Sequence, residues 1–482
     1  MRRVGLLLGQ ALLLVVLCSV LVLERSIYQS RVTKSNNCLP AAVDNTPALK
    51  APNPSSTNTR ASFPSRLPTA EPPGDFIPFT SKWQPASGTN IHPLVPTPAV
   101  TTVTASPTAE IDCPNKRDSP DMVEDTSKYL RAIMNSSTET GLSRLECGPL
   151  KRIRYAGLHH VPASTNKPRY FFALDLYQST QIITQLFGSI VEVIRFLGPE
   201  LCAVSVVEGR STDGTFEVLK SLAHELGSLG VRYHLSCNEL DPKGQGMDRI
   251  VTLAQLRNQA LWPLTKNPGQ YDPSTTVIIL NDIALCAEDI LELIQQRVLL
   301  KADMTCGMDW NDNGNPFYDV WIGRQLNGDS FFEIPQSGSW EFAHNLFWNH
   351  EDSRRRYASG SPVQVFSCWN GAVTFIAEPF LEGKITFRSN NEGECYLGEP
   401  VHLAKDLWKA GHGRIAILPS VNVGYSVNAS AKAKEMHGTV SAWAEKGDPP
   451  DSHITWQDDP PGQIKCMVFR DHQSWEPWDQ SL

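Results

Sequence analysis

Apolar residues along the middle of this chain recur with two alternating periods. Ile182, Ile183, Leu186, Ile190, Val193, Ile194 and Leu197 share one helical stripe, which predicts a helix over residues 179–197. Residues 201–207 then form a short unbroken apolar run, the pattern of a buried strand. The alternation continues. Residues 215–229 read as a helix stopped by Gly230, 231–235 as a strand, and 246–262 as a helix with Pro263 just past its end. The β-branched start of 276–280 predicts a third strand, and 288–300 a further helix. Such an order predicts an α/β fold, a mostly parallel sheet flanked by helices on both faces. After Asp303 the pattern loosens into an aromatic-rich stretch that includes Trp310, Phe317, Trp321 and Trp340. Residues 371–377 read as a strand, 399–409 as a helix, and 414–418 as the end of the sheet region.

The N-terminal pattern is different. Residues 4–23 carry no charge, and Gln10 and Ser19 are their only clearly polar members. Roughly 20 apolar residues cross a bilayer as a helix. Arg2 and Arg3 precede the run, so the positive-inside rule puts residues 1–3 in the cytosol and the rest across the membrane. No small-x-small site follows in Leu21-Val-Leu-Glu24, which favours a signal-anchor over a cleaved signal peptide. Residues 24–112 hold a tract rich in Pro, Ser and Thr without strand or helix period, the composition of a disordered stem. Anchor, stem and a lumenal domain over 113–482 together describe a single-pass type II protein of the Golgi membrane.

Composition narrows the picture further. A chain of 482 residues, 41% of them hydrophobic, suffices for one large domain after the tail, anchor and stem are set aside. The net charge of −8 argues against a nucleic-acid surface. Eleven cysteines fit an oxidising lumen, and none lies in a CxxC or zinc spacing. Cys18 and Cys38 fall in the anchor and stem; the nine from Cys113 to Cys466 are odd in number, so at least one is free or paired elsewhere. Asn135-Ser-Ser and Asn428-Ala-Ser are acceptor sequons for N-glycosylation.

Candidate chemistry sits where apolar strands end in carboxylates. Ligands of α/β sheets bind at the carboxyl ends of the strands. Val204-Ser-Val-Val207 ends in Glu208, which is placed to accept from a base or ribose. Ser211, Thr212, Asp213 and Gly214 follow as a turn, in which Asp213 is either a ligand or a plain helix N-cap. Val277-Ile-Ile-Leu280 ends in Asn281-Asp282. Asp282 is the only acid at that tip, so it would share a divalent cation, Mg²⁺ or Mn²⁺, with phosphate and water; the alternative is an Asx turn. Asp309 is a second acid that could approach the same place. Arg257, beside Asn258 on a predicted helix, could fork onto phosphate oxygens. Trp369-Asn370-Gly371 offers stacking, an amide and a close backbone, which suits a sugar. One of Glu392, Glu394 and Glu399 would face the reacting carbon. The set implies a nucleotide, a metal and a sugar in one cleft.

These segments, in order, resemble the fungal capsule-associated α-1,3-mannosyltransferase family, glycosyltransferase family 69. The resemblance runs through Val204 to Thr215, Arg249-Ile-Val-Thr-Leu-Ala-Gln-Leu-Arg-Asn258, Leu280-Asn-Asp-Ile283 and Asp303 to Trp310. It continues through Phe317-Tyr-Asp-Val-Trp321, Ser367-Cys-Trp-Asn-Gly371, Cys395-Tyr-Leu-Gly-Glu399 and Asp406 to Gly411. It implies a GT-A-like fold, a GDP-mannose donor, a divalent cation and transfer to a mannoside glycan acceptor with retained configuration. On that basis Asp282 is the metal residue. Glu208, Ser211, Asp213, Arg257, Asn258 and Asn281 line the donor site, and Trp369 and Asn370 the acceptor site. Glu399 or Asp309 serves catalysis, either as a nucleophile or beside a same-face attack. Gly398 and Gln325 depart from the family pattern at positions expected to bear on the acceptor. Transfer from UDP-xylose or UDP-glucose, and a catalytically silent scaffold or lectin, are the competing expectations.

Overall fold

The computed structural model describes residues 109–114, 120–159, 167–447 and 452–482. The cytosolic tail, the anchor, Cys18, Cys38 and the expected stem up to residue 108 lie outside the described residues. Among the described residues twelve strands are formed: β1 (Glu110–Asp112), β2 (Tyr170–Leu176), β3 (Cys202–Gly209), β4 (Arg232–Asn238), β5 (Thr276–Leu280), β6 (Met304–Trp310), β7 (Arg324–Gln325), β8 (Val363–Ser367), β9 (Ala372–Ile376), β10 (Ile415–Gly424), β11 (Gln463–Phe469) and β12 (His472–Pro477). The helices that matter here are α1 (Thr180–Leu197), α2 (Thr215–Leu229), α3 (Arg249–Ala260), α4 (Ala287–Leu300), α5 (Glu399–Lys409) and α6 (Val427–His437).

Ten strands form one sheet in the order β1-β4-β3-β2-β5-β9-β6-β10-β8-β7, and β11 pairs with β12 as a separate hairpin. β1, β4, β3, β2 and β5 run parallel; β9 then enters antiparallel between β5 and β6. β6 and β10 are parallel to each other, and β8 and β7 close the far side antiparallel. The sheet is therefore mostly parallel across the half that the strand–helix alternation predicted. β1 falls within the last residues expected to belong to the stem, so the folded part begins by Glu110. β1 is held there by pairing with β4 and by the Cys113–Cys237 disulfide.

Local chemistry sets the element boundaries. Gly214 and Gly230 bracket α2, both with left-handed backbone at φ 96° and 95°, a conformation that a side chain would strain. α3 starts at Arg249, three residues later than its apolar pattern suggests, because the Asp248 carboxylate accepts from the N–H groups of Ile250 and Val251. The sheet buries two apolar layers. Phe172, Leu174, Val204 and Val206 face α1, α2 and α4; Phe171, Ala173, Ala203 and Val207 face α3 and the aromatic segment. Successive residues of each strand thus serve opposite layers.

Cross-links reach the parts that pattern alone does not place. Cys147–Cys286, Cys306–Cys368 and Cys395–Cys466 complete four disulfides, and Cys202 is the free, buried cysteine among the described residues. That accounts for the odd count in the domain. Asn135 and Asn428 are both exposed, as glycan acceptors must be. On α6, Lys434 Nζ donates to both oxygens of Asp289 at 2.8 and 2.6 Å and to the Asn422 carbonyl at 2.8 Å. Both side chains are buried, at 6% and 1% exposure. Removing one partner of such a pair leaves an uncompensated charge, at a cost of about 3–5 kcal/mol. Lys434→Ala should lower the unfolding free energy by that amount in chemical denaturation; a loss of less than about 1 kcal/mol would mean the pair is effectively solvated.

Candidate active site

The chain reverses its direction across the sheet at β2. From β2 it proceeds through β3 to β4, and then returns to β5 on the other side. In open α/β sheets this switch point opens a crevice beyond the carboxyl ends of the strands. β2 brings Asp175 to that rim, one residue before its end and in register with Val207 of β3. The segment after β5 brings Asn281 and Asp282, and β6 brings Asp309.

Arg257 of α3 is the cation of the crevice. Its Nε donates to Glu399 Oε1 at 2.6 Å, and its Nη1 reaches Asn281 Oδ1 at 3.4 Å. Its guanidinium lies 4.1 Å from the centroid of the Trp369 ring, whose own Nε1 donates to Asn281 Oδ1 at 3.2 Å. The ion pair is nearly dry, with side-chain exposures of 10% for Arg257 and 3% for Glu399. Glu399 is the first residue of α5, where the helix dipole also favours a carboxylate. The guanidinium is thus fixed by a carboxylate and an indole face.

Around it the acids outnumber the cations. Burial pushes the Asp175 carboxyl up to about 6, with Arg257 opposing and Asp282 and Glu399 adding repulsion. Asp319 is likewise pushed up to about 6 by burial, against the Asn370 N–H and Arg257 and with repulsion from Glu399. Asp282 is exposed, yet the protein around it still raises its pKa by desolvation, against its own backbone N–H, Arg257 and Lys243. Asp309 is fully buried behind this group. It accepts from the Tyr425 hydroxyl at 2.8 Å and from the Asp319 N–H at 3.3 Å, and burial and Asp319 together raise its pKa well above the usual range.

A family model described as cryptococcal mannosyltransferase 1 matches residues 169–406, which contain β2, α3, β5, β6 and the start of α5. The α-1,3-mannosyltransferase CMT1 of Cryptococcus neoformans var. neoformans serotype D is 34% identical over 330 residues, covering 64% of this chain and 70% of CMT1. The chain belongs to the fungal capsule-associated mannosyltransferase family. It is a glycosyltransferase, and a mannosyltransferase in particular. Solved structures overlap it only loosely. Staphylococcus aureus TarS residues 1–349 share 15% identity at a TM-score of 0.30, over 52% of this chain and 58% of that one. A Pyrobaculum calidifontis mannosyltransferase solved with GDP-Man and Mn²⁺ shares 14% identity at a TM-score of 0.31, over 64% of this chain and 68% of that one. Overlaps that loose assign no residue.

In this mannosyltransferase the expected residues divide into two groups. Arg257, Asn281, Asp282 and Glu399 meet in the crevice. Glu208, Ser211 and Asp213 build its rim on the β3 side. Glu208 Oε1 accepts from the Ser211 N–H at 2.7 Å, and Ser211 Oγ accepts from the Gln178 N–H at 2.9 Å. Asp213 takes the cap alternative. Its two oxygens accept from the N–H and hydroxyl groups of Thr180 and Thr215, tying α1 to α2. Those bonds outweigh burial and hold its pKa low.

Several expectations need correction. The Asn258 amide is engaged within the protein: it bonds Thr386 and the backbone of Phe387, which pins that loop. Trp369 is 2% exposed, so its ring is a wall behind Arg257 and not an open stacking platform. Asn370 is fully buried; its side chain donates to the Gly307 carbonyl at 2.7 Å while its N–H holds Asp319 at 2.8 Å. Glu399 and Asp309, at 2% and 0% exposure, turn their carboxylates to Arg257 and to Tyr425 and the Asp319 N–H. Glu394 is spent on Arg388, His402 and Lys405, which hold its pKa low despite burial. The two departures from the family pattern are packing positions. A Cβ on Gly398 would meet Ile322 Cδ1 at 2.4 Å, and buried Gln325 donates to Ser330 and Asn349.

Asp175, Asp319 and Tyr425 were not singled out from the sequence. Asp175 carries the same signal as the other tips, an acid at the end of an apolar strand. Asp319 lies in Phe317-Tyr-Asp-Val-Trp321, where aromatic neighbours mask the acid; Tyr425 has no local signal. Arg257→Lys keeps the charge but cannot lie flat on Trp369 while holding Glu399. We expect mannose transfer by this variant to fall about 100-fold, equivalent to about 2.7 kcal/mol of barrier, with circular dichroism unchanged. Activity within about twofold of wild type would show that charge alone suffices.

Proposed function

We propose that the chain transfers mannose from GDP-mannose to the 3-hydroxyl of a mannoside with retention, aided by a divalent cation. The observation that carries this reading is the crowding of Asp175, Asp282, Asp319 and Glu399 around a single fixed guanidinium. Carboxyls that raise one another's pKa are stabilised by added positive charge. Among the described residues, no three His, Cys, Asp or Glu side chains converge to hold a metal alone. That fits a cation held by exposed Asp282, with Asp175 beside it, and completed by phosphate oxygens and water, the usual mode for Mg²⁺ or Mn²⁺. When bound, such a cation would offset the charge of the departing diphosphate.

The chain's own residues supply the rest of the reading. Arg257 gives its Nε to Glu399 and an Nη1 N–H to Asn281, and its other N–H groups suit a phosphate oxygen whose charge grows as the glycosidic bond breaks. Glu399 and Trp369 keep that guanidinium from rotating away, so little reorganisation accompanies the step. Glu208 and Ser211, with the exposed Tyr177 ring under Arg210 at 4.9 Å, form the side of the crevice that suits a nucleoside. With Glu399 and Asp309 closed off, the reading favours attack from the same face over a glycosyl intermediate on either residue. The four disulfides support a secretory lumen, and we assign residues 4–23 as the anchor that holds the enzyme in the Golgi membrane.

Purified protein incubated with GDP-mannose, Mn²⁺ and an α-mannobiose acceptor should yield an α-1,3-linked product. Chelation should stop the reaction and Mn²⁺ restore it. Asp282→Asn should lower turnover by about 10³ or more with an unchanged melting temperature, since the side chain is exposed. Full activity of that variant, or equal turnover with UDP-xylose or UDP-glucose, would overturn the assignment.

A further inference from the structure

The β11–β12 hairpin forms one wall of a cavity that the transfer reaction does not use. The cavity measures about 300 Å³ and is lined by Asp329, Glu333, Trp348, Lys465, Gln473 and Trp475. None of the acids around Arg257 is among its lining residues. Lys465 and Trp475 are cross-strand partners in the hairpin, as are Met467 and Gln473, so Lys465, Gln473 and Trp475 point to one side. Lys465 is oriented by Asp329, at 2.5 Å, and sits 5.7 Å from the Trp475 ring.

Three features of this cavity have no internal use. The Trp475 ring is 45% exposed although it lines a concave surface. Glu333 makes no hydrogen bond or ion pair among the described residues. The Trp348 indole N–H has no partner among the described residues either. An open indole face and a spare carboxylate match two features of a pyranose, its C–H surface and its hydroxyl hydrogens, while the Trp348 N–H is itself closed to solvent. The volume lies at the lower end of the range of about 300–1,000 Å³ for small-molecule pockets, enough for a sugar ring.

The cavity is also rigidly joined to the transfer site. Cys466 of β11 is bonded to Cys395, four positions before Glu399 in the chain. Trp321 Nε1 donates to the Met467 carbonyl at 2.5 Å, and Arg324 Nε to the Lys465 carbonyl at 2.9 Å. We propose that this cavity is a second carbohydrate subsite, which holds a mannose unit of the acceptor glycan remote from the unit being extended. The proposal rests on the mannoside-acceptor reading for its choice of sugar.

Trp475→Ala and Glu333→Gln test it, since neither residue belongs to the transfer site and both are accessible. In affinity electrophoresis through gels containing α-mannan, wild-type protein and Asp282→Asn should be retarded alike. The two subsite variants should bind mannan about tenfold more weakly. In kinetics, their KM for a long manno-oligosaccharide should rise about tenfold, with kcat and the KM values for mannobiose and GDP-mannose unchanged. Wild-type protein that is not retarded, variants retarded as strongly as wild type, or equal KM rises for long and short acceptors would each overturn the subsite. The mannan gel reads binding without turnover, so loss of the transfer reading at Asp282 and loss of the subsite give different results.

Discussion

The ion pair between Arg257 and Glu399 is the contact on which the crevice depends. It joins α3 to α5, whose paired residues lie 142 positions apart in the chain, across the carboxyl ends of β2 and β5. Two long side chains would ordinarily lose entropy on pairing for little return at a surface. Here the pair is shielded from water, and Trp369 covers the guanidinium from behind. The result is a fixed positive charge in a site otherwise rich in carboxylates.

That excess of carboxylates gives the site its chemical direction. Asp175 and Asp319 are held where burial and neighbouring acids both oppose ionisation. Such an arrangement is costly in an empty cleft and becomes favourable when positive charge enters. Groups behind them fix their positions: Tyr425 and Asp309 behind Asp319, and the left-handed turn at Asn370 beside it, at φ 57°. The Cys306–Cys368 disulfide ties β6 to the turn that carries Trp369 and Asn370, so both walls of the crevice are braced by one cross-link.

The distal hairpin extends the same economy of parts. One strand, β11, contributes a disulfide to the segment that leads to Glu399 and two backbone acceptors to Trp321 and Arg324, while its Lys465 side chain and cross-strand Trp475 face an outer cavity. Alternation along a strand lets a single element serve two sites without either displacing the other.

Much of the fold was legible from local pattern. The helices at 180–197, 215–229 and 399–409 and the strand at 276–280 follow from apolar periodicity and from glycine stops, which are properties of contiguous residues. The acid-tipped strands also announced the crevice, because a carboxylate ending an apolar strand has few purposes in the interior. What adjacent residues could not reveal is which side chains are spent on one another. Asn258, Trp369 and Asn370 look available in the sequence and are consumed by residues 386–387, Arg257 and Gly307. Asp319 and Tyr425 look ordinary and meet at Asp309. The sequence determined the layers and the strand ends; only the tertiary structure decided which polar groups remain open to a ligand. Periodicity is encoded between neighbours, whereas hydrogen-bond satisfaction depends on partners brought together from distant parts of the chain.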